Sequence, residues 1–269
     1  MKTMKKSSNP IYGLSVLLIL LLFPVSTSVF GKSPKQQYYE IRIYHVKQSV
    51  QSERMDSYLK YAFIPAMHRA GISKVGVFKP VEADTAFGKL IYVFVPLKNV
   101  DQYFKLPGQL LKDEDYQKAG KEFYDAAYND PPFVRYESIL LKAFAYMPQF
   151  RSPVFDTPAG DRIYELRSYE SATEAKAAKK IEMFNEGGEM ALFESMGFNA
   201  AFYGEVMVGS HKPNLMYMTT FKDMATRDEK WKAFGNSPEW KKISGLEIYK
   251  NTVSRVSVYL LHPASYSDF

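Results

Sequence analysis

The sequence predicts an α+β fold made of two tandem βαββαβ units, which face each other as a barrel with the helices outside. The main observation is an internal repeat: residues 39–44, Tyr-Glu-Ile-Arg-Ile-Tyr, return at 164–169 as Tyr-Glu-Leu-Arg-Ser-Tyr. The register persists beyond these strands, since Gly71 corresponds to Gly197. A spacing of about 125 residues indicates two tandem domains rather than a solenoid, whose repeats are shorter.

The first copy has the pattern strand, helix, two strands, helix, strand. Residues 37–46 are rich in Tyr and Ile and predict the first strand. Between Ser49 and Ala70 apolar residues recur three and four positions apart, which predicts one helix. Pro65 lacks the backbone donor that a helix needs, so we expect a kink near Tyr61. The remaining elements are predicted at 74–81, 89–95, about 113–128 and 133–144.

A linker separates the copies at residues 147–161, where prolines and a glycine occur without periodicity. The predicted domains are therefore 38–146 and 162–269. In the second copy, strands are predicted at 162–169, 199–208, 214–221 and 254–261, and helical regions at 174–196 and 225–249. A βαββαβ unit leaves one sheet face bare, and a second copy is the simplest cover for that face.

The first 31 residues predict a secretory signal peptide. Lysines at positions 2, 5 and 6 precede an apolar run at 14–25 and small residues suited to cleavage. We expect a secreted or periplasmic protein whose mature form starts near Lys32; the alternative is an uncleaved N-terminal anchor. The sequence has no cysteine, which excludes disulfides and thiol chemistry.

The charge pattern gives little indication of a macromolecular partner. Without the three leader lysines, 32 Lys and Arg stand against 29 Asp and Glu, and the charges are interspersed. We therefore expect no nucleic-acid partner and, after cleavage, no membrane partner. Association with further copies of the chain stays open.

Motifs for phosphate loops, dinucleotide binding, zinc proteases and serine hydrolases do not occur. The four histidines, His45, His68, His211 and His262, have no partner at ligand spacing, so no metal site is predicted. His68 is the best candidate for a haem ligand or a catalytic base, because the kink at Pro65 could aim it inward.

The repeated strand supplies the candidate binding residues. Side chains alternate across a strand, so one face carries the polar members of each repeat. We expect the apolar members to pack on the helices and the polar members to converge between the sheets, where they would orient a small ligand. The alternative is that Glu40 pairs with Arg42, and Glu165 with Arg167, across neighbouring strands, which would fill the barrel without binding anything. The candidate residues are Glu40, Arg42, Tyr44, Glu165, Arg167 and Tyr169.

Several segments resemble the NIPSNAP family. They are Lys-Ile-Glu-Met-Phe-Asn-Glu-Gly-Gly-Glu at 180–189, Asn-Leu-Met-Tyr-Met-Thr-Thr-Phe at 214–221 and Tyr-Ser-Asp-Phe at 266–269. The resemblance covers about residues 38–269 and is sharper in the second copy. It implies tandem ferredoxin-like domains in an α+β barrel of the dimeric type. It does not imply an activity, since relatives on this fold range from haem-degrading oxygenases to plain binding modules.

The sequence favours an exported binding protein that holds a small polar or aromatic molecule between the sheets. An enzyme resembling the oxygenases of the dimeric α+β barrel type, dependent on haem or an aromatic substrate, is the alternative. A purely structural or interaction protein is a third hypothesis. No cofactor is predicted, and haem stays open only with the oxygenase hypothesis.

Overall fold

Two similar sets of strands and helices follow each other in the computed structural model, which describes Met1, residues 34–47 and residues 49–269. The strands of the first half are β1 (Tyr38–His45), β2 (Gly76–Pro80), β3 (Leu90–Leu97) and β4 (Arg135–Ala143). Its helices are α1 (Ser49–Tyr58), α2 (Ile64–Arg69), α3 (Val100–Leu110), α4 (Glu114–Ala119) and α5 (Lys121–Tyr124), with a π-helical turn at Leu59–Phe63.

The second half repeats this order. Its strands are β5 (Ile163–Glu170), β6 (Asn199–Val208), β7 (Asn214–Phe221) and β8 (Arg255–Pro263). Its helices are α6 (Glu174–Asn185), α7 (Glu189–Ser195), α8 (Met224–Asn236) and α9 (Pro238–Gly245), with short 3₁₀ turns at Ala159–Asp161 and Glu247–Tyr249.

The strands close into one antiparallel barrel in the order β1-β3-β2-β8-β5-β7-β6-β4. Each half contributes a four-stranded sheet, with β1 and β3 or β5 and β7 at its centre. The half-sheets join twice, where β2 pairs with β8 and where β4 pairs with β6. The predicted fold class, two ferredoxin-like halves in an α+β barrel, is confirmed.

The long first helix is irregular just before Pro65, in the region where the sequence predicts a kink. Proline has no backbone N–H, so the carbonyl of Tyr61 loses its helical donor. The chain responds with the π-helical turn Leu59–Phe63, immediately before α2. The corresponding helix of the second half breaks at Gly187 and Gly188, and the latter has a left-handed φ of +88°.

Helix α3 was missing from the sequence prediction. Asn99 caps its first turn by accepting a hydrogen bond from the backbone N–H of Gln102 at 3.0 Å. Pro107 and Gly108 lie within the helix and obscure its periodicity in the sequence.

The barrel interior forms one apolar core to which every strand contributes. Its rings are in close contact: Phe94 and Phe202 stack with centroids 4.8 Å apart, although they belong to different halves. The interior residues include Tyr39, Ile41, Ile43, Phe78, Tyr92, Phe94, Ile139, Leu141, Tyr164, Leu166, Phe202, Val206, Met216, Met218 and Leu261. Two further cores lie outside the barrel, one between each half-sheet and its own helices.

The predicted signal peptide, 1–31, and the predicted mature start near Lys32 lie outside the described residues, apart from Met1. Pro34–Phe269 form one compact unit. Within the part of the chain that the structure describes, none of the helices combines the length and apolar character needed to span a bilayer.

Candidate functional site

The candidate residues of the repeated strands lie on the outer face of the barrel, not between the sheets. The sequence analysis assigned the two faces of β1 and β5 the wrong way round. Tyr39, Ile41 and Ile43 point into the barrel, and the polar residues alternate with them beneath the helices. The physical reason is that the interior is closed from water on all sides, and charged side chains there would remain unsolvated. The predicted central cluster of six polar residues is therefore two separate clusters.

The first cluster lies under α1 and the π-helical turn. Arg42 donates two hydrogen bonds to Glu40, at 2.9 and 3.0 Å, and the Ser138 hydroxyl donates a third to the same carboxylate at 2.7 Å. The Arg42 guanidinium also lies over the ring of Phe63, 4.9 Å from its centre. Glu40 and Arg42 are thus partners, as the alternative expected, but they pair within one strand and outside the barrel.

Tyr44 completes the first cluster within an aromatic layer. Its ring stacks on Tyr136 at 5.3 Å, and nearby the hydroxyls of Tyr58 and Tyr116 share a hydrogen bond of 2.6 Å. Burial raises the pKa of Tyr44, and the neighbouring Arg42 opposes that rise. Tyr44, Tyr58 and Tyr116 are buried, while Tyr136 is half exposed at the edge of the layer. The layer supports the structure of the first half.

The second cluster lies under α8 and is centred on Glu165, whose side chain has no exposed surface. Its carboxylate accepts hydrogen bonds from Arg167 at 2.5 Å, from Arg227 at 2.7 and 3.1 Å, and from the Trp231 indole N–H at 2.7 Å. The Arg167 guanidinium lies over Trp231, 3.6 Å from the ring centre. A carboxylate with this many charged donors is held in one orientation.

Tyr169 links this cluster to the helices α6 and α7. Its hydroxyl accepts a hydrogen bond from Arg167 at 3.2 Å and shares another, of 2.7 Å, with the hydroxyl of Tyr217. Beyond it, Lys180 of α6 and Glu189 of α7 form a buried ion pair in which Nζ and Oε2 are 2.6 Å apart. Burial raises the pKa of Glu189, and the Lys180 ammonium opposes the rise.

Lys180 was not identified as a candidate from the sequence, and Glu189 was considered only as a neighbour of a ligand for which Gly187 and Gly188 would leave room. Both lie in the segment 180–189 that resembles the NIPSNAP family, and that segment was the available signal. Gly187 between them has a structural explanation, because a Cβ there would lie 2.6 Å from the carbonyl oxygen of Met183. The chain turns sharply at Gly188 and thereby brings Glu189 back towards Lys180.

A cavity of about 480 Å³ opens beside this cluster, between α7, the start of β6 and the linker. Its wall includes Tyr203, whose ring stacks on Tyr217 at 5.6 Å. At its rim the linker residue Arg151 pairs with Glu194 of α7 at 3.1 Å. The other lining residues are Tyr146, Met147, Met190, Ala191, Gly197, Phe198, Asn199 and Ala200.

The expectation that His68 points inward is wrong. Its side chain is exposed and pairs with Asp268 at 2.8 Å, because α2 turns this face towards solvent after the π-helical turn. The other histidines pair with Glu137, Glu170 and the carbonyl of Arg162. Among residues 34–47 and 49–269, no three His, Asp or Glu side chains are grouped to suit a metal ion.

Comparisons with known proteins agree with the fold and identify one domain. Residues 164–268 match the sequence model of the NIPSNAP family, so the second half of the chain carries a NIPSNAP domain. No curated protein sequence matches the chain.

Solved structures with low sequence identity share the whole barrel. A candidate monooxygenase from Lactobacillus acidophilus NCFM is 12% identical, with a TM-score of 0.56 over 85% of this chain and 94% of that protein. A candidate monooxygenase from Fusobacterium nucleatum is 10% identical, with a TM-score of 0.50 over 85% and 93%. An anthrone oxidase-like protein is 7% identical, with a TM-score of 0.50 over 86% and 93%. At these identities the similarity shows the fold alone.

Proposed function

We propose that the protein is a binding module whose second half holds a small, partly aromatic molecule in the cavity beside α7. The cavity carries the proposal, since about 480 Å³ lies within the range of small-molecule sites. This places the ligand outside the barrel, whereas the sequence analysis placed it between the sheets. The first half, by this proposal, is a diverged tandem copy that serves as scaffold.

The lining of the cavity suits an aromatic body with a polar or anionic group. Met147, Met190 and Phe198 supply apolar contact, and Tyr203 supplies both a ring and a hydroxyl. Burial raises the pKa of Tyr203, so its hydroxyl keeps its proton and can donate. Arg151 at the rim can exchange Glu194 for an anionic group of the ligand, because their ion pair is largely exposed and weak.

Blocking the cavity tests the proposal. Ala191 lies on the cavity side of α7 and is exposed, so Ala191→Trp should occupy the space without disturbing the core. Ala225→Trp is the matched control, since Ala225 is an exposed helical alanine away from the cavity lining. Co-purifying molecules would be identified by native mass spectrometry, and binding of salicylate and 4-hydroxybenzoate would be measured by calorimetry.

We expect binding to wild type and to Ala225→Trp, and its loss in Ala191→Trp. The proposal fails if wild type neither carries a molecule nor binds any aromatic acid. It also fails if Ala191→Trp binds as well as wild type does.

We further propose that the protein acts after export, as the leader at 1–31 suggests. N-terminal sequencing of protein from the envelope and culture medium should give a start near Lys32. Full-length protein retaining Met1 in the cytosol would contradict export.

A further inference from the structure

The ion pair of Lys180 and Glu189 is sealed from solvent, with 5% and 2% of the side chains exposed. The Lys180 ammonium is surrounded by aromatic rings, 4.6 Å from the centre of Phe184 and 5.5 Å from that of Trp240. Moving two charges out of water costs several kcal/mol for each ion, and their attraction offsets this only when geometry is good. Stability alone is therefore a weak reason for such a pair.

The first half of the same chain builds this position without charge. The repeated strands are offset by 125 residues, and this offset pairs Lys180 with Met55. Gly71 and Gly197 are offset by 126 residues, and that offset pairs Glu189 with Phe63. Both residues of the first half are fully buried. The fold thus accepts an apolar pair here, in agreement with the general finding that apolar replacement of a buried ion pair is often neutral or stabilising. The charges of the second half need another explanation.

The pair lies directly behind the wall of the cavity. Met190, which follows Glu189, lines the cavity, and so does Tyr203. The ring of Phe184 connects the two places, since its centre is 5.8 Å from that of Tyr203 and 4.6 Å from the Lys180 Nζ. Methionine is unbranched and flexible, so a rotation of Met190 can open the cavity towards the pair.

The pair has hydrogen-bonding capacity beyond the contacts seen among the described residues. An ammonium has three N–H donors. Among the described residues Lys180 Nζ contacts Glu189 Oε2 at 2.6 Å and the sulfur of Met183 at 3.3 Å. Only one of the three N–H groups therefore has an oxygen acceptor in this part of the chain, and the carboxylate can accept further hydrogen bonds.

The charges around the pair are balanced. Arg167 and Arg227 are matched by Glu165 and Asp228, just as Lys180 is matched by Glu189. An additional buried charge would be uncompensated and costly. The group that fits best is neutral, donates one hydrogen bond, accepts another and is attached to an apolar or aromatic body.

We propose that Lys180 and Glu189 receive the hydroxyl of a phenol or enol from the ligand of the cavity. This inference rests on the proposed function. The hydroxyl donates to the Glu189 carboxylate and accepts from the Lys180 ammonium. On ionisation the ligand O–H bond breaks, a new O–H bond forms on Glu189, and the resulting phenolate or enolate pairs with Lys180; no electrons are transferred to or from the protein. Burial, which raises the pKa of Glu189, makes it a stronger proton acceptor than a carboxylate in water.

The test compares 4-nitrophenol with nitrobenzene, which has the same ring but no hydroxyl. The main variant is Lys180→Met with Glu189→Phe, which copies the first half. Lys179→Met is the control, because Lys179 precedes Lys180 but is exposed and pairs with the partly exposed Glu182 on the same helix. Affinities would be measured by calorimetry and folding by thermal unfolding.

We expect wild type and Lys179→Met to bind 4-nitrophenol about tenfold or more tightly than nitrobenzene, the effect of a well-made buried hydrogen bond. The double variant should unfold at or above the wild-type temperature and bind both molecules equally. The inference is overturned if the double variant keeps the preference, or if it unfolds, since the pair is then structural.

Glu189→Gln provides a second readout that leaves the shape of the site unchanged. It removes the negative charge while Lys180 remains, so bound 4-nitrophenol should shift towards the nitrophenolate absorbance. An unchanged spectrum overturns the inference. If wild type binds nitrobenzene but shows no preference for the phenol, only this inference fails; if it binds neither molecule, the proposed function fails with it.

Discussion

Arg151 and Asp268 occupy equivalent places in the two halves, although one lies in the linker and the other near the end of the chain. The backbone N–H of Arg151 donates to the carbonyl of Ala201 at 2.9 Å, and that of Asp268 to the carbonyl of Val75 at 3.1 Å. Each side chain then contacts the helix above it: Arg151 forms an ion pair with Glu194, and Asp268 shares a hydrogen bond with His68. In each half, the segment after the last strand thus connects the backbone near β2 or β6 to the helix that covers it.

The contacts of Asp268 should stabilise the fold more than those of Arg151. Asp268 also accepts a hydrogen bond from the backbone N–H of Val75 at 2.8 Å, and Val75 is fully buried. Asp268→Ala should therefore lower the free energy of unfolding by about 1–3 kcal/mol, the cost of an unsatisfied buried donor. Arg151→Ala, which breaks an exposed pair, should cost less than about 1 kcal/mol. Urea unfolding of both variants measures the difference, and equal losses would contradict it.

Removing the charge of Glu165 should strongly destabilise the second half. Glu165→Gln leaves Arg167 and Arg227 without their shared carboxylate in a nearly buried place. Loss of one partner of such a buried pair typically costs about 3–5 kcal/mol. Glu40→Gln leaves one arginine, Arg42, without its carboxylate rather than two, so its free energy of unfolding in chemical denaturation should fall less. A larger loss of unfolding free energy in Glu40→Gln than in Glu165→Gln would show that the network around Glu165 contributes less to stability than its geometry indicates.

Stability should fall in acid partly through Asp113. The hydrogen bonds from Arg69, above all, lower the pKa of this carboxyl, and the backbone N–H of Tyr116 adds to the effect. Because the folded-state pKa lies below the ordinary value of 3.8, the stabilisation is complete above that value. This stabilisation is lost as the pH falls from about 3.8 through the lower pKa of the folded state. Asp113→Asn should be less stable than wild type near neutral pH, and the two curves of unfolding free energy should converge in acid. Parallel curves would exclude this role.

The glycines of the second half should respond differently to alanine. Gly187→Ala brings a Cβ within 2.6 Å of a backbone oxygen, so it should destabilise most. Gly188→Ala has room but a left-handed backbone, and should cost about 1 kcal/mol. Gly235→Ala, in α8 where no described residue lies within 4 Å of its Cβ position, should stabilise by about 0.5–1 kcal/mol. Thermal unfolding of the three variants tests this ranking.

Each half should depend on the other to cover its inner face. A fragment of residues 162–269 would expose Tyr164, Leu166, Met216 and Met218, which now lie inside the barrel. Soluble monomers rarely expose such a surface, so we expect a homodimer or an aggregate. A monomer with a cooperative unfolding transition in analytical ultracentrifugation and calorimetry would contradict the expectation.

The repeat and its helix and strand periods were sufficient to predict the barrel, but not which face of β1 and β5 is the inner one. Both faces are covered, so alternation alone is ambiguous. Glu40 and Arg42 satisfy each other on one strand and lie beneath helices, where Arg42 keeps some contact with solvent, whereas the closed interior excludes charged groups. Strand β3, which is apolar on both faces, was the signal that neither face meets water. Lys180 and Glu189 meet only because the chain turns at Gly188, and no spacing rule anticipates that turn.

The covalent fusion of the two halves has an evolutionary consequence for the position of Met55 and Lys180. In a barrel built from two identical subunits, every substitution would appear twice, so a costly buried charge would be imposed on both sides. Here the two positions are encoded separately. The first half can keep the apolar Met55, which packs without a desolvation cost, while the second half can carry a charged residue at the same position.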